Sequence, residues 1–430
     1  MKELYRFQYR IKRELFIDDT LLDTAEGLEF QVQKPVPQPP EESAPQGYYS
    51  TVIFDDMKYR YYFREFPSER HTLYAESADG RRWNHASQGP AWDLDRNSAL
   101  RLPNFTHNFT PFLDRNPAAP AEERYKAIAG TYLDRGLASF YSADGIHFKR
   151  YDRPLILPVP EGVEMLDSQN TAFYFEAENC YVIFFRVFHL PDGRKIRSVA
   201  RVTSPDFEHW GKIEFFPSLN EPDEHLYTSG LTPYYRAPHI CVGTPTRFFE
   251  DHGAATDIGL FFYRAGRGFV RPGKEAWIRP GLDEERWKNR ANYLALNPVP
   301  TAGNEMSFYH IFSRVRYTLP PDRFVSLHAG TREGWWISRP IEHPGGTLEL
   351  NAATSAGGRI VVELCDMEGN VLPGCGAAEF ETFWGDRIAW RPQWRPSGKR
   401  GIGKGDVFRI RAFMKEADLF SMSFCNPEAV

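Results

Sequence analysis

Asp167, Glu224 and Glu305 stand at matching places in three consecutive sequence repeats, each shortly before a strand-like run. Two carboxyl groups facing one another can split a glycosidic bond: one protonates the departing oxygen, the other attacks the sugar or activates water. On that chemistry Glu305 is expected as the acid and Asp167 as the base or nucleophile. Glu224 is expected to raise the acid's pKa by like-charge repulsion. A single acidic residue in a loop is scaffold as readily as catalyst, so the signal is three acids at one register.

Other side chains fit around such a centre. Arg186 and Arg247 each end an apolar strand, in Phe184-Phe185-Arg186 and Thr246-Arg247. A guanidinium there offers a planar fork to a sugar carboxylate or hydroxyls, or pairs with a neighbouring acid. His107 can bond a substrate hydroxyl; as a metal ligand it lacks partners at ligand spacing. Tyr49, Asn170 and Tyr227 flank the same positions and complete the expected substrate-binding set. Asp55-Asp56 reads as a hairpin turn. No phosphate-cradling glycine loop, nucleophile elbow or His-Glu-x-x-His motif occurs.

The elements that must hold these residues are announced by a recurring phrase. It reads Ser77-Ala78-Asp79-Gly80-Arg81-Arg82-Trp83, then Ser142-Ala143-Asp144-Gly145-Ile146-His147-Phe148, then Ser204-Pro205-Asp206-Phe207-Glu208-His209-Trp210. Each copy is a tight turn in which Asp bonds backbone amides and Gly accepts a positive φ. These aspartates are scaffold. Strand-like runs precede each copy, and less regular units follow around Ser229–Tyr235 and Met306–Phe312. Repeats of this length predict a toroid with a central pocket, and inner-strand counting gives five blades over residues 48–321. A solenoid is the competing arrangement. Only Glu284–Arg290 has a helical pattern, and it is short.

Residues 1–47 read as leading strands and a Pro-rich connector, since Pro35, Pro37, Pro39, Pro40 and Pro45 exclude helix and central strand. Residues 322–430 change character. Val407–Phe413 places Phe408, Ile410 and Ala412 on one face and Arg409 and Arg411 on the other, while Met367-Glu368-Gly369-Asn370 supplies a hairpin turn. This predicts an antiparallel β-sandwich. The fold class is therefore all-β: a five-bladed β-propeller followed by a C-terminal β-sandwich.

Composition bounds the partners. The 33 Phe, 21 Tyr and 10 Trp suit packed sheets, and they also suit rings that stack on sugars. A net charge of −5 without a long basic run argues against nucleic acid. No stretch reaches the ~20 apolar residues of a membrane-spanning helix. The five cysteines lack metal-type spacing and do not form a disulfide framework. The start, Met1-Lys2-Glu3-Leu4, has no signal-peptide core, so the expected location is cytoplasmic, or periplasmic or secreted if a leader has been removed. No cofactor is called for. A structural Ca²⁺ is compatible with the fold but specified by no residue set, and a homo-oligomer is left open.

The Ser-x-Asp-Gly-x-x-Trp/Phe turns and the domain order resemble the bimodular glycoside hydrolases of families 32 and 43 and their relatives. Asp167-Ser168-Gln169-Asn170-Thr171, Tyr227-Thr228-Ser229-Gly230 and Gly346–Asp366 are similar to segments of uncharacterised bacterial members. The resemblance implies hydrolysis of a plant or algal poly- or oligosaccharide, by an Asp on blade one, an Asp on blade two and a Glu on blade three. Here the first inner strand begins Tyr48-Tyr49-Ser50-Thr51, without a carboxylate. A glycoside phosphorylase on this scaffold, and a non-catalytic carbohydrate-binding propeller, are the alternatives.

Overall fold

A computed structural model describes residues 4–6, 13–64, 72–85, 98–100, 108–221, 223–395 and 402–425. It is all-β, with only short 3₁₀ turns between strands. The chain forms two compact units, Pro35–Leu319 and the pair of segments Met1–Lys34 with Pro320–Val430.

The first unit is a β-propeller. Five sheets follow one another in sequence, and a three-stranded ribbon (His225–Leu226, Thr246–Phe249, Ala255–Ile258) accompanies the fourth. The innermost strands of sheets I to V are Tyr48–Asp55, Thr110–Leu113, Thr171–Phe175, Leu231–Tyr234 and Val299–Thr301. Sheet V is tied back to sheet I, because Leu296 N–H donates to Ser50 O at 2.9 Å and Val52 N–H to Leu296 O at 3.1 Å. A solenoid has no such link between its last and first repeats. The outermost strand of sheet V is Val36–Pro37, paired with Tyr317 and Thr318. The Pro-rich connector thus serves as an edge strand, where a missing N–H costs least.

The repeated turns hold neighbouring sheets together. Ser77 Oγ accepts from Gly80 N–H at 2.9 Å, and Asp79 Oδ1 accepts from Arg81 and Arg82 N–H at 2.8 and 2.9 Å. The second copy repeats these bonds at Ser142 and Asp144. The freed carbonyls are then taken by tyrosines of another sheet. Tyr309 Oη donates to Gly80 O and Tyr62 Oη to Gly145 O, both at 2.6 Å. In the third copy Phe207 occupies the glycine's place at φ 64°. Its ring is 1 % exposed and packs on Phe112, Tyr181 and Trp210, and that burial offsets the left-handed backbone.

The second unit is a β-sandwich built around two 19-residue strands, Thr347–Cys365 and Val407–Cys425, which pair along most of their length. Phe408, Ile410, Ala412 and Met414 are all buried, so the alternation read from sequence marks the core face. Trp336 and Phe16 meet there with ring centroids 5.4 Å apart. The sequence reading set residues 1–47 apart, whereas Arg13–Leu15, Leu22–Glu26 and Leu28–Val32 pair with strands of this unit. The helical pattern at Glu284–Arg290 becomes a single 3₁₀ turn, Glu284–Trp287. Among the described residues no helix is long and apolar enough to cross a membrane.

Candidate active site

The residues leading into the third inner strand make a tight turn that pushes one carboxylate outward. Leu166 is fully buried and adopts φ 67°; its N–H donates to Arg186 O at 3.0 Å. Asn170 locks the turn by donating to Leu166 O and Ser168 O at 3.0 and 3.2 Å, and by accepting from Arg186 N–H at 3.2 Å. Asn170 is therefore a positioning residue, 1 % exposed. Asp167, between the anchors, keeps 47 % of its side chain accessible and accepts from Arg186 Nη2 at 3.0 Å. Arg186 itself is buried, so the pair fixes the carboxylate from inside the wall.

Asp167 opens onto a cavity of about 890 Å³. The same cavity is lined by Tyr48, Tyr49, Tyr227, Tyr293 and Phe312, and by Arg64, Arg286, Arg290 and His310. Behind Asp167, the buried Gln169 links the third inner strand to the first: its Nε2 donates to Ser50 O at 3.0 Å and to Thr51 Oγ1 at 3.3 Å. Tyr49 sits in a bulge at φ 40°, where the pairing of sheet I shifts register between Tyr48 and Thr51. Its ring meets Tyr293 edge-on at 6.1 Å, and Tyr293 meets Tyr227 at 5.9 Å.

Three guanidinium groups surround one of these rings. The guanidinium carbons of Arg186, Arg197 and Arg290 lie 5.6, 5.6 and 5.4 Å from the Tyr227 ring centre. Ring quadrupoles accommodate cations at such distances. Burial pushes the Tyr49 phenol well above its usual range, with Tyr227, Tyr293 and Asp167 adding to the effect. Burial does the same for Tyr293. Both hydroxyls therefore stay protonated near neutral pH.

The expected set divides. Asp167, Tyr49 and Tyr227 line the cavity, and Arg186 touches it through Asp167. His107 lies outside the described residues. Glu224 and Glu305 do not line the cavity. Glu224 precedes the ribbon and accepts from Arg271 Nη2 at 2.7 Å, with Arg247 Nη1 at 3.6 Å. Arg247 is gripped by Asp257 through two bonds of 2.6 and 2.7 Å and donates to Lys274 O. It too is absent from the cavity lining. Glu305 pairs with Thr301 across the turn at the far end of the inner hairpin of sheet V. It accepts from Arg316 Nη1 at 3.0 Å and from Arg81 Nη2 at 3.2 Å.

The register of sheet V explains the displacement of Glu305. Tyr293 O accepts from Ile311 N–H, Ala295 N–H donates to Tyr309 O, and Val299 faces Ser307. The cavity end of this hairpin is thus Tyr293 with Ile311, eight residues from Thr301. The bulge at Asn297 shortens that span: along the partner strand Ile311 to Glu305 is six residues, roughly 20 Å at ~3.3 Å per residue. Tyr293, Arg286, Arg290 and His310 are among the cavity residues that sequence reasoning missed. The available signal was the turn sequence Thr301-Ala302-Gly303-Asn304, which marks a hairpin rather than the start of an inner strand.

No family model matches the chain, and no curated protein matches it. Among solved structures the chain is similar to a thermostable family-43 glycoside hydrolase (TM-score 0.45, 11 % identity, 68 % of this chain and 92 % of that one). It is similar also to an endo-arabinase from Bacteroides thetaiotaomicron (TM-score 0.42, 13 % identity, 67 % and 96 %). A third is the GH32 beta-fructofuranosidase of Bombyx mori (TM-score 0.38, 11 % identity, 92 % and 96 %).

Among the described residues no three His, Cys, Asp or Glu side chains converge as a metal site. Of the acids in the cavity lining, Asp283 caps the 3₁₀ turn by accepting from Glu285 N–H at 3.0 Å, and Glu285 pairs with Lys288 at 2.5 Å. Asp167 is the carboxylate among the buried tyrosines. The arrangement offers one accessible carboxylate and phenolic hydroxyls on a wall of tyrosine rings set edge to face.

Proposed function

We propose that the protein is a glycoside hydrolase whose substrate enters the propeller cavity and whose reacting carboxylate is Asp167. The observation that carries this reading is the half-exposed Asp167, fixed by a buried arginine at the wall of a cavity lined with four tyrosines. A carboxylate in that position can transfer a proton or attack a sugar carbon, and tyrosine faces are apolar enough to receive a sugar ring. The Tyr49 and Tyr293 hydroxyls would donate to sugar oxygens. A plant or algal oligosaccharide is the substrate class to test first. The pairing of Asp167 with a second carboxylate is not supported for Glu224 or Glu305, whose oxygens are committed to arginines elsewhere.

That commitment favours a second reading, a carbohydrate-binding propeller without turnover. One assay separates the two. Wild-type protein and Asp167→Asn are incubated with neutral and acidic plant and algal oligosaccharides, and new reducing ends are counted while binding is followed by calorimetry. Cleavage by the wild type and binding without cleavage by Asp167→Asn support the hydrolase. Binding without cleavage by both proteins supports the second reading.

A further inference from the structure

The segment Asp283–Tyr293 brings into the cavity, beside the carboxylates of Asp283 and Glu285, a guanidinium that no carboxylate among the described residues pairs with. Arg286 is 7 % exposed. Its Nε donates to Asn292 Oδ1 at 2.8 Å and its Nη1 donates to the Tyr317 hydroxyl, both uncharged acceptors. Its Nη2 is buried without a partner, and no carboxylate among the described residues pairs with it. Taking an ion out of water is costly unless a counter-charge is supplied. Arg290, four residues on, lines the same cavity and likewise has no carboxylate partner among the described residues.

His310 stands on the wall of the same cavity and is 1 % exposed. Its Nδ1 accepts from Ser313 N–H at 3.1 Å. A backbone amide can only donate, so Nδ1 carries no proton and the ring proton sits on Nε2. Burial, helped by the charge of Arg286, holds the ring neutral. Nε2 is buried and without a partner. Two residues of the cavity wall therefore each hold a buried donor without a partner, a guanidinium N–H and an imidazole N–H. Arg286 also has a scaffold role, since Asn292 Nδ2 donates to its backbone oxygen at 2.6 Å. That role accounts for Nε and Nη1 but gives no reason for the unsatisfied Nη2 or for the bare Nε2–H.

We propose that Arg286, His310 and Arg290 form an oxyanion-binding subsite, taking the carboxylate of an acidic sugar or a free phosphate. An oxyanion supplies the acceptors and the counter-charge that both buried donors lack, and a guanidinium edge matches its paired oxygens. The inference rests on the cavity being the ligand site proposed above. It does not depend on Asp167 being a catalyst.

Titration calorimetry of the whole protein with D-glucuronate, inorganic phosphate and D-glucose tests it. At least one oxyanion should bind more tightly than glucose, and less tightly as NaCl is raised. Arg290→Gln and Arg286→Lys should each weaken oxyanion binding by about tenfold or more, the value of a hydrogen bond to a charged group, and leave glucose unaffected. Glucuronate binding alone assigns the subsite to a sugar carboxylate; phosphate binding assigns it to a free oxyanion. Asp167→Asn should retain or improve oxyanion binding, even if it proves fully active and so defeats the hydrolase reading. If Arg286→Lys fails to fold, the exposed Arg290→Gln decides. Absence of oxyanion binding by the wild type, or binding unchanged in the folded variants, would overturn the proposal.

Discussion

Asp167 and Arg186 form a pair with one member inside the wall and the other in the cavity. The guanidinium is 4 % exposed and the carboxylate 47 %, at 3.0 Å. The arginine is held in turn by ring faces, 4.9 Å from Phe188 and 5.6 Å from Tyr227. The carboxylate cannot swing away without abandoning a buried charge. Water reaches its outer oxygen, which is the condition for exchanging protons with a ligand.

Asp167→Asn should therefore reduce turnover by about 10²–10⁴-fold, the usual worth of a positioned proton carrier. Because Asp167 is half-exposed, water compensates Arg186 in part, and the stability loss should stay on the order of 1 kcal/mol. Steady-state kinetics with a urea melt checks both figures. An unchanged kcat would remove Asp167 from the chemistry.

Glu305→Gln should behave in the opposite way. Its side chain is 30 % exposed and bonds the nearly buried Arg316 and the half-exposed Arg81. Removing the charge should lower stability by about 1 kcal/mol and leave kcat/KM near the wild-type value. A collapse of turnover with an unchanged melting temperature would return Glu305 to the site.

The turn glycines separate strain from crowding. A Cβ on Gly145 would stand 3.0 Å from both the Tyr62 hydroxyl and the Tyr125 ring, at φ 73°. Gly193 has nearly the same φ, 79°, with nothing within 4 Å. Gly193→Ala should cost only the left-handed backbone penalty, about 1–2 kcal/mol. Gly145→Ala should cost more, because the Tyr62 bond to Gly145 O must also give. Equal losses in chemical denaturation would mean that this bond contributes nothing.

These contrasts mark what was legible in the sequence. The Ser-x-Asp-Gly phrases specify bonds between residues two and three apart, and the structure makes them wherever the phrase occurs. The alternation in Val407–Phe413 likewise reports its buried face directly. The register of sheet V was legible only in part: the turn Thr301-Ala302-Gly303-Asn304 marks a hairpin before Glu305, but not which end of that hairpin faces the cavity. Only pairing with residues 305–311 reveals that the strand runs from Tyr293. The placement of Arg13–Leu15 was not legible, because its partners Ser421–Ser423 lie some four hundred residues away. Arg286, Arg290 and His310 carry no motif. They meet because a loop between two sheets folds over one cavity.

The last prediction concerns acid. Burial, and then the charge of Arg286, hold His310 well below its ordinary value of 6.5. The unfolded chain takes up a proton near that value while the folded ring does not. Between the folded and unfolded values the unfolded state binds more protons, so the folding contribution is fully present above pH 6.5 and is lost as pH falls below it. The slope for one such group approaches about 1.4 kcal/mol per pH unit. His225 is also held low, by burial and then Arg197, and acts in the same direction, so the wild-type slope does not isolate either ring. His310→Gln does. Its amide oxygen can accept from Ser313 N–H and it does not titrate. Urea melts at pH 7.5, 6.5 and 5.5 should show the wild type losing stability faster than His310→Gln across the lower interval, with the two running parallel across the upper one. Parallel loss throughout would mean that His310 is protonated in the folded protein, and that the Nε2 proton assigned above is not the only one on the ring.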